Sequence, residues 1–436
     1  MRRWGKNAEQ GAGKKNFMSR LGLIEGVSRS YFWDDVYPKG VIPLDAKIGL
    51  IQMGDGFSRY TPGFGAMAAY LYAMMTEDEV IVTLKQLCGI DIEKASLVRL
   101  VQTVGESYLP KEIDMGNSDD SLRKPKERPL GILEQRIKAI DENPDRDKII
   151  QDAVEGKIEG ARCSDSTGLT VVYGTSDGTG VPGLKRELSK HGKNGGHAQT
   201  FEAKVGVVFK QRYDENGLPA LDKNGDIYRI PGTTQYTATV EKVDPFGRQM
   251  AEFLVSNEVA NTPQAVFLSD GALWLSYLPE RIFPPQVPLI MIIDKYHAIE
   301  HLNDLVDKLY FYKAEPREKF REEARALLDV GKIPEMVALI RDKATSLKPD
   351  KKEKVDKGLE YFEKNAEKMR YGLFQAVGLF VGSGVVEAAC KTVIGKRLKN
   401  SGMHWSKKGA AIAIALRCAI ISGRFDYCRS EFNLAA

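Results

Sequence analysis

Between Gly168 and His297 the hydrophobic period switches repeatedly between two residues and three to four, and few folds accept that succession. "LTVVYGTSDG", "FEAKVGVVFKQR" and "QYTATVE" are strand-like, with a turn around "ENGLPALDKNGD" before the third. "DPFGRQMAEFLVSNEVAN" then takes helical spacing, with Asp244 as a candidate cap ahead of Pro245. "AVFLSDG" is a strand of the buried type, "ALWLSYLPERIF" a helix and "VPLIMIIDKYH" another apolar strand. The order β-β-β-α-β-α-β predicts an α/β domain with a mixed sheet.

The flanks are helical. "GAMAAYLYAMM", "TEDEVIVTLKQLCG" with Thr76 as N-cap, and "IDIEKASLVRLVQTVGESYL" precede the strands. The second and third of these, joined by "GID", have the form of a helix-turn-helix or of an ordinary helical hairpin. Residues 115 to 130 are polar and Pro-containing, as in a linker, and the following segment to about Gly160 reads as one solvent-exposed helix. Beyond residue 301 lies a charge-balanced, nearly Gly-free stretch; from Lys313 to Arg370 it holds sixteen basic and thirteen acidic residues, as exposed helical faces do. The expected organisation is a strand-containing region over 1–60, a helical region over 61–112, a linker and helix over 113–165, the first part of the sheet domain over 166–300, a helical insertion over 301–378, and a last helix with basic C-terminal helices over 379–436.

Bulk properties narrow the function class. The 436 residues are 43% hydrophobic and 28% charged, an ordinary soluble balance, and a net charge of +4 conceals a basic tail. From Cys390 to Ser430 there are nine cations, Lys391, Lys396, Arg397, Lys399, Lys407, Lys408, Arg417, Arg424 and Arg429, against Asp426 alone. Such a tail suits a polyanion or is a solvated basic face. The five cysteines, 88, 163, 390, 418 and 428, never take C-x-x-C spacing, which argues against a disulfide framework and a zinc ribbon. With no signal-peptide pattern and no apolar run of membrane-spanning length, a cytoplasmic location is expected and a membrane partner is not.

Three motifs compete for the chemistry. Gly178, Gly180 and Gly183 form G-x-G-x-x-G after a strand, with Glu202 at ribose-contact distance in sequence, yet the helix a dinucleotide fold needs is missing before the next strand. "HAIEH" places His297 and His301 one helical turn apart with Glu300 between, a zinc-peptidase spacing whose third ligand would come from Glu360, Glu363, Glu367 or Glu387. Asp165 precedes the first strand as a turn residue. The alternative is a set of carboxylates at element ends: Asp177 on the first strand, Asp270 after the fourth, and Glu387 on the helix after the insertion. In a ribonuclease H-like sheet strand one is central and strand four lies beside it, so the three converge. Hard carboxylate oxygens suit Mg²⁺ or Mn²⁺. Two such ions about 3.5 to 4 Å apart activate a water or a 3′-hydroxyl and stabilise the leaving oxygen in phosphodiester chemistry.

"SDGTG", "SDGALW", "FPPQVP", "IIDKYHAIEHL" and "GSGVVEAACKTVIGKRLKNSGMHW" resemble the DDE transposases of bacterial insertion sequences, specifically the ISKra-type family with its ISLre-type relatives and, more distantly, the Mutator-type enzymes. The likeness runs from about residue 44 to about Arg424. It implies a ribonuclease H-like catalytic domain interrupted by a helical insertion, acting on transposon ends and target DNA, commonly as a dimer, with two Mg²⁺ or Mn²⁺ ions on Asp177, Asp270 and Glu387. The family's Asp-x-x-His signature falls on Asp294 and His297, as active-site support. Lys391, Lys396, Arg397 and Lys399 are expected along the phosphate backbone. Trp405 is expected either to stack on a distorted base or to pack in the core, and Trp274 is read the same way. The helix-turn-helix at "TLKQLCGIDIEKASLVRLVQ" matches the family's DNA-binding region. The cysteine pairs that relatives carry near the N-terminus are absent here, which leaves end recognition unassigned. A nuclease that does not join ends, and a DNA-binding protein that has lost turnover, keep the same pattern; a zinc peptidase is the remaining alternative.

Overall fold

The computed structural model describes residues 9–33, 42–53, 56–109, 127–160, 168–188, 199–310, 314–382 and 384–426. Asp165, Cys163, Cys428, Arg429 and Ser383, the expected start of the last helix, lie outside the described residues, as does most of the linker. The chain begins with a long two-stranded antiparallel ribbon, β1 (Glu9–Ser19) and β2 (Gly22–Trp33). The sequence suggested only short strand pieces there. Helix α1 (Pro43–Lys47) and the two-residue strands β3 (Gln52–Met53) and β4 (Gly56–Phe57) lead to α2 (Pro62–Met74), α3 (Glu77–Cys88) and α4 (Lys94–Glu106).

Thr76 caps α3 as its sequence suggests. Its Oγ1 accepts from the Glu79 N–H at 3.3 Å and the Glu79 carboxylate accepts from the Thr76 N–H at 2.7 Å, a reciprocal capping box. The single helix expected before Gly160 is two, α5 (Ile132–Asp141) and α6 (Arg146–Val154), because Pro144 cannot continue the first; neither is merely solvent-exposed, since Leu133, Ile137, Ile150 and Ala153 are buried.

Strands β5 (Leu169–Pro182), β6 (Thr200–Tyr213) and β7 (Gln235–Thr239), helix α7 (Val243–Ser256), strand β8 (Ala265–Ser269), helix α8 (Leu273–Ile282) and strand β9 (Leu289–Ile293) follow in the order read from the sequence. They form a mixed five-stranded sheet in the order β7-β6-β5-β8-β9, with β5, β8 and β9 parallel and β6 antiparallel to both neighbours. Asp244 does not cap α7: it lies within the first turn and pairs with Arg281 of α8. Gly178 and Gly180 sit inside β5, paired with Lys204 and Glu202 of β6, and Gly183 just past its end bridges Trp405, so the glycine triplet does not form a phosphate loop ahead of a helix.

Helices α9 (Lys295–Leu309), α10 (Ala314–Val330), α11 (Ile333–Ala344), α12 (Pro349–Asn365) and α13 (Tyr371–Ala376) come next. A near-continuous helix then runs through α14 (Gly384–Ala389), a π-turn at Cys390–Gly395 and α15 (Lys396–Leu398), before α16 (Lys407–Ile421).

Period-two alternation sends side chains to two faces of the sheet. Val172, Val208 and Phe267 face α7 and α8. On the opposite face, Val181, Ala203, Val205 and Val207 pack with residues of α2, α4, α14 and α16, while Tyr173, Phe209, Leu268 and Ile292 pack with α9 and the helices after it. The helices before the sheet therefore share a core with those that end the chain, and α4 turns Leu97, Leu100, Val101 and Val104 into it.

Candidate active site

Three aspartates stand in one row where the parallel strands end. The ladder pairs Thr175 of β5 with Leu268 of β8, and Ser269 of β8 with Ile293 of β9. One step further places Asp177 level with Asp270, and Asp270 level with Asp294, whose N–H still donates to Ser269 O at 2.7 Å. All three continue the alternation that faces the helices on the split side of the sheet, at the seam between its two clusters. Parallel strands bring their C-terminal ends together, and in open α/β sheets ligands gather there.

Each carboxylate is held by neighbouring donors. Asp177 Oδ1 accepts from the Gly178 N–H at 2.6 Å, and its Oδ2 accepts from the Cys390 thiol at 3.4 Å. Asp270 Oδ1 accepts from the Ala272 N–H at 2.8 Å, and the Tyr361 hydroxyl donates to the Asp270 carbonyl at 3.3 Å. Gly271 has a left-handed φ of 84°, and a Cβ there would stand 2.9 Å from the Tyr361 ring, so the Asp-Gly pair meets both a conformational and a spatial need. Asp294 is fully buried and caps α9 through its Oδ1, which accepts from the His297 N–H at 2.9 Å. The Asp-x-x-His spacing is thus an N-cap that fixes the start of the helix and with it His297.

Glu387 lies on α14, whose Val386 and Ala389 pack against the β6 residues paired with β5. Cys390 follows it by three residues, on the same helical side, and touches Asp177. Burial pushes the Asp177 carboxyl above the ordinary carboxylate range, and the charge of Asp270 adds to that; the Gly178 N–H, the Cys390 thiol and His297 oppose it. Burial and then Asp177 push the Cys390 thiol up as well, so it stays protonated and donates. Tyr361 is raised by burial, and then by Asp270 and Asp294.

A carboxyl raised on folding opposes stability when ionised. That cost is absent below the unfolded value of about 3.9, grows as pH rises through the folded value, and is complete above it. Asp177→Asn is therefore expected to raise the Tm at pH 7, with a gain that shrinks toward pH 4. Thermal unfolding at several pH values checks this; a Tm at pH 7 equal to or below that of the parent would contradict it.

The donor chemistry of Asp177, Asp270 and Glu387 suits a hard divalent cation. Among the described residues, however, no group of three or more His, Cys, Asp and Glu side chains is gathered closely enough to hold a metal ion. The histidines of "HAIEH" are engaged separately. His297 Nδ1 stands 3.4 Å from Glu300, whereas the His301 ring lies 4.1 Å from that of Tyr361 and is held below the usual histidine range by burial. Glu360 and Glu363 pair with Lys364 and Arg341 on the surface.

Two expected DNA contacts are corrected. Arg397 is 1% exposed, its guanidinium 4.9 Å from the Tyr72 ring and 4.7 Å from the Trp405 ring, with Nε donating to Tyr72 O at 2.8 Å. Trp405 is buried and its indole donates to Leu398 O at 3.2 Å, so it packs in the core and cannot stack on a base. The helix turns every three to four residues, and a basic run along it cannot keep all its members on one face. Lys391, Lys396 and Lys399 are exposed, and Lys399 Nζ donates to Thr179 Oγ1 at 2.6 Å, two residues along β5 from Asp177. Trp274 packs edge-on against Phe246, 5.9 Å between ring centroids.

Sequence reasoning missed Cys390 and Tyr361. The i, i+3 spacing from Glu387 could have found the first. Tyr361 comes from the insertion and carries no local signal.

No family model matches the chain, and no curated protein does. Among solved structures, the Drosophila P element transposase strand transfer complex aligns with 86% of this chain and 95% of its own, at 9% identity and a TM-score of 0.33. A likeness at that level carries no argument about fold or function.

Proposed function

We propose that the chain is a DNA transposase of the DDE type with a ribonuclease H-like core, cleaving phosphodiesters at insertion-sequence ends and joining them to target DNA. The observation that supports this most is the level placement of Asp177 and Asp270 just past the end of the parallel β5–β8 ladder, next to the helix that carries Glu387 and Cys390. The strand order 3-2-1-4-5, counted from β5, agrees with that core.

When bound, two Mg²⁺ or Mn²⁺ ions supply Lewis-acid activation of the attacking oxygen and charge stabilisation of the leaving one. Asp177, Asp270 and Glu387 are the residues that would hold them. Gly178, Ala272 and the Cys390 thiol orient the aspartates through the hydrogen bonds given above. Asp294 fixes the start of α9 and so aims His297 at the row. Lys391, Lys396 and Lys399 lie along the DNA backbone and contribute salt-dependent affinity, and the α3–α4 pair adds duplex contacts. A homodimer on DNA in a bacterial cytoplasm completes the reading.

The test is strand transfer. The DNA flanking the coding sequence, supplied as a pre-cleaved end with Mg²⁺ and a plasmid target, is expected to be joined to the plasmid. Hydrolysis without joining would identify a nuclease, and binding without either reaction a DNA-binding protein without turnover.

A further inference from the structure

Beside the carboxylate row, between the start of α9 and the segment entering α14, lies a cleft of about 500 Å³. That is the size class of small-molecule and cofactor sites. Its lining joins aromatic faces to a few polar groups. Tyr296, two residues after Asp294, stands at its edge and is 65% exposed, unusual for a large aromatic side chain. Phe380 lines it further in, braced edge-on by Tyr173 and Phe209 at 5.7 and 5.9 Å.

The Tyr296 ring keeps its place because residue 382 is glycine. A Cβ there would approach the ring to 2.8 Å and stand 4.0 Å from Asp294 Oδ2, which also shows how close the cleft is to the row. Lys295, Arg325 and Gln375 add polar groups to the lining. Lys295 Nζ is 2.8 Å from Asp329 and Arg325 Nε 3.4 Å from the same carboxylate, so two cations share that acid at the margin of the cleft, with Asp294 on its other side. Gln375 Oε1 accepts from Lys295 at 3.4 Å, which turns its amide into a donor and leaves the cleft an amide edge next to an aromatic face.

We infer that this cleft takes one unpaired nucleotide adjoining the scissile phosphate, its base against Tyr296 and Phe380, the base edge at Gln375 and a phosphate near Lys295 and Arg325. The inference rests on the proposed action on DNA and deepens it, naming single-stranded DNA next to the break as what the site receives. Aromatic faces on which bases stack, with cations within reach of the backbone, are how sequence-tolerant single-strand sites are built. A duplex keeps its bases stacked inside, so only a frayed, overhanging or extruded nucleotide presents a face to Tyr296.

The test uses the full chain with Ca²⁺ in place of Mg²⁺ and two labelled DNA ends of equal duplex length, one blunt and one with a short unpaired overhang carrying 2-aminopurine. Wild type is expected to quench the 2-aminopurine and to prefer the overhang. Tyr296→Ala is expected to weaken overhang binding about 10-fold and abolish the quenching while changing blunt-end affinity less than about twofold, and Tyr296→Phe to retain both. Because Tyr296 is largely exposed, folding is not at issue, and equal thermal melts confirm it. Equal losses on both DNAs, or quenching unchanged in Tyr296→Ala, would overturn the cleft assignment while leaving the reading of the chain intact. If wild type binds neither DNA, both fall together.

Discussion

Asp270→Asn is expected to lose Mn²⁺ binding and Mg²⁺-dependent DNA nicking, by on the order of 10²–10³-fold or more, with little change in stability. Asp270 is partly exposed and its Oδ1 accepts from the Ala272 N–H, a bond that an Asn carbonyl oxygen preserves. Asp294→Asn is the informative comparison. Asp294 also ends a parallel strand, but it is fully buried, and its Oδ1 is committed to the α9 cap. β9 is also separated from β5 by β8. Asn at 294 keeps the cap and should keep Mn²⁺ binding, whereas Asp294→Ala should cost about 1 kcal/mol of stability through the lost cap. Electron paramagnetic resonance of free Mn²⁺ and plasmid nicking read the two properties separately. Loss of Mn²⁺ binding in Asp294→Asn together with its retention in Asp270→Asn would reverse the assignment.

The row of aspartates was legible because it depends on local pattern. Alternating and buried-type strands are visible residue by residue, and the glycine after Asp270 marks where backbone direction changes. Strand order then follows from a small set of allowed connections. What stayed hidden depends on which side of a helix faces which neighbour. Arg397 and Trp405 sit in sequence among exposed lysines, and nothing local says that one turns under Tyr72 while Lys396 beside it turns to water. Tyr361 reaches the site from 91 residues beyond Asp270, a contact that only tertiary packing creates. Pro144 is a local signal, and its effect in splitting one expected helix into α5 and α6 was available to sequence reasoning. Asp244 illustrates the reverse error, a good capping residue drawn into an ion pair with Arg281 once α7 and α8 pack side by side.

The second large effect is expected at Arg417, which the sequence counts among the basic tail and the fold buries. It is 2% exposed, and its guanidinium serves three backbone carbonyls: Nε donates to Val393 O at 2.7 Å, Nη2 to Thr392 O, and Nη1 to Ala73 O at 2.5 Å. Thr392 and Val393 belong to the π-turn that begins at Cys390, after Glu387, and Ala73 to the last turn of α2, where helix carbonyls lack partners within the helix. Arg417→Met fills similar volume but leaves three buried acceptors without a donor. A buried charge paired with another side chain can often be replaced as a pair at little cost; backbone carbonyls cannot be removed with it. A loss of about 3–5 kcal/mol in urea unfolding is expected, against about 1–3 kcal/mol for Arg397→Met, which forfeits a hydrogen bond to Tyr72 O, a weak one to the Met403 sulfur and two ring contacts. Lys391→Ala and Lys396→Ala, on the exposed side of the same helix, should stay within about 0.5 kcal/mol of wild type and each lower the salt dependence of DNA binding by about one counterion. Because the π-turn sets the rotation of Glu387 and Cys390 relative to the sheet, Arg417→Met should also lose nicking under conditions where it remains folded, while the lysine variants keep nicking at low salt. Wild-type stability in Arg417→Met would show that the π-turn does not depend on this side chain, and the link from the basic tail to the carboxylate row would then have to run through α14 alone.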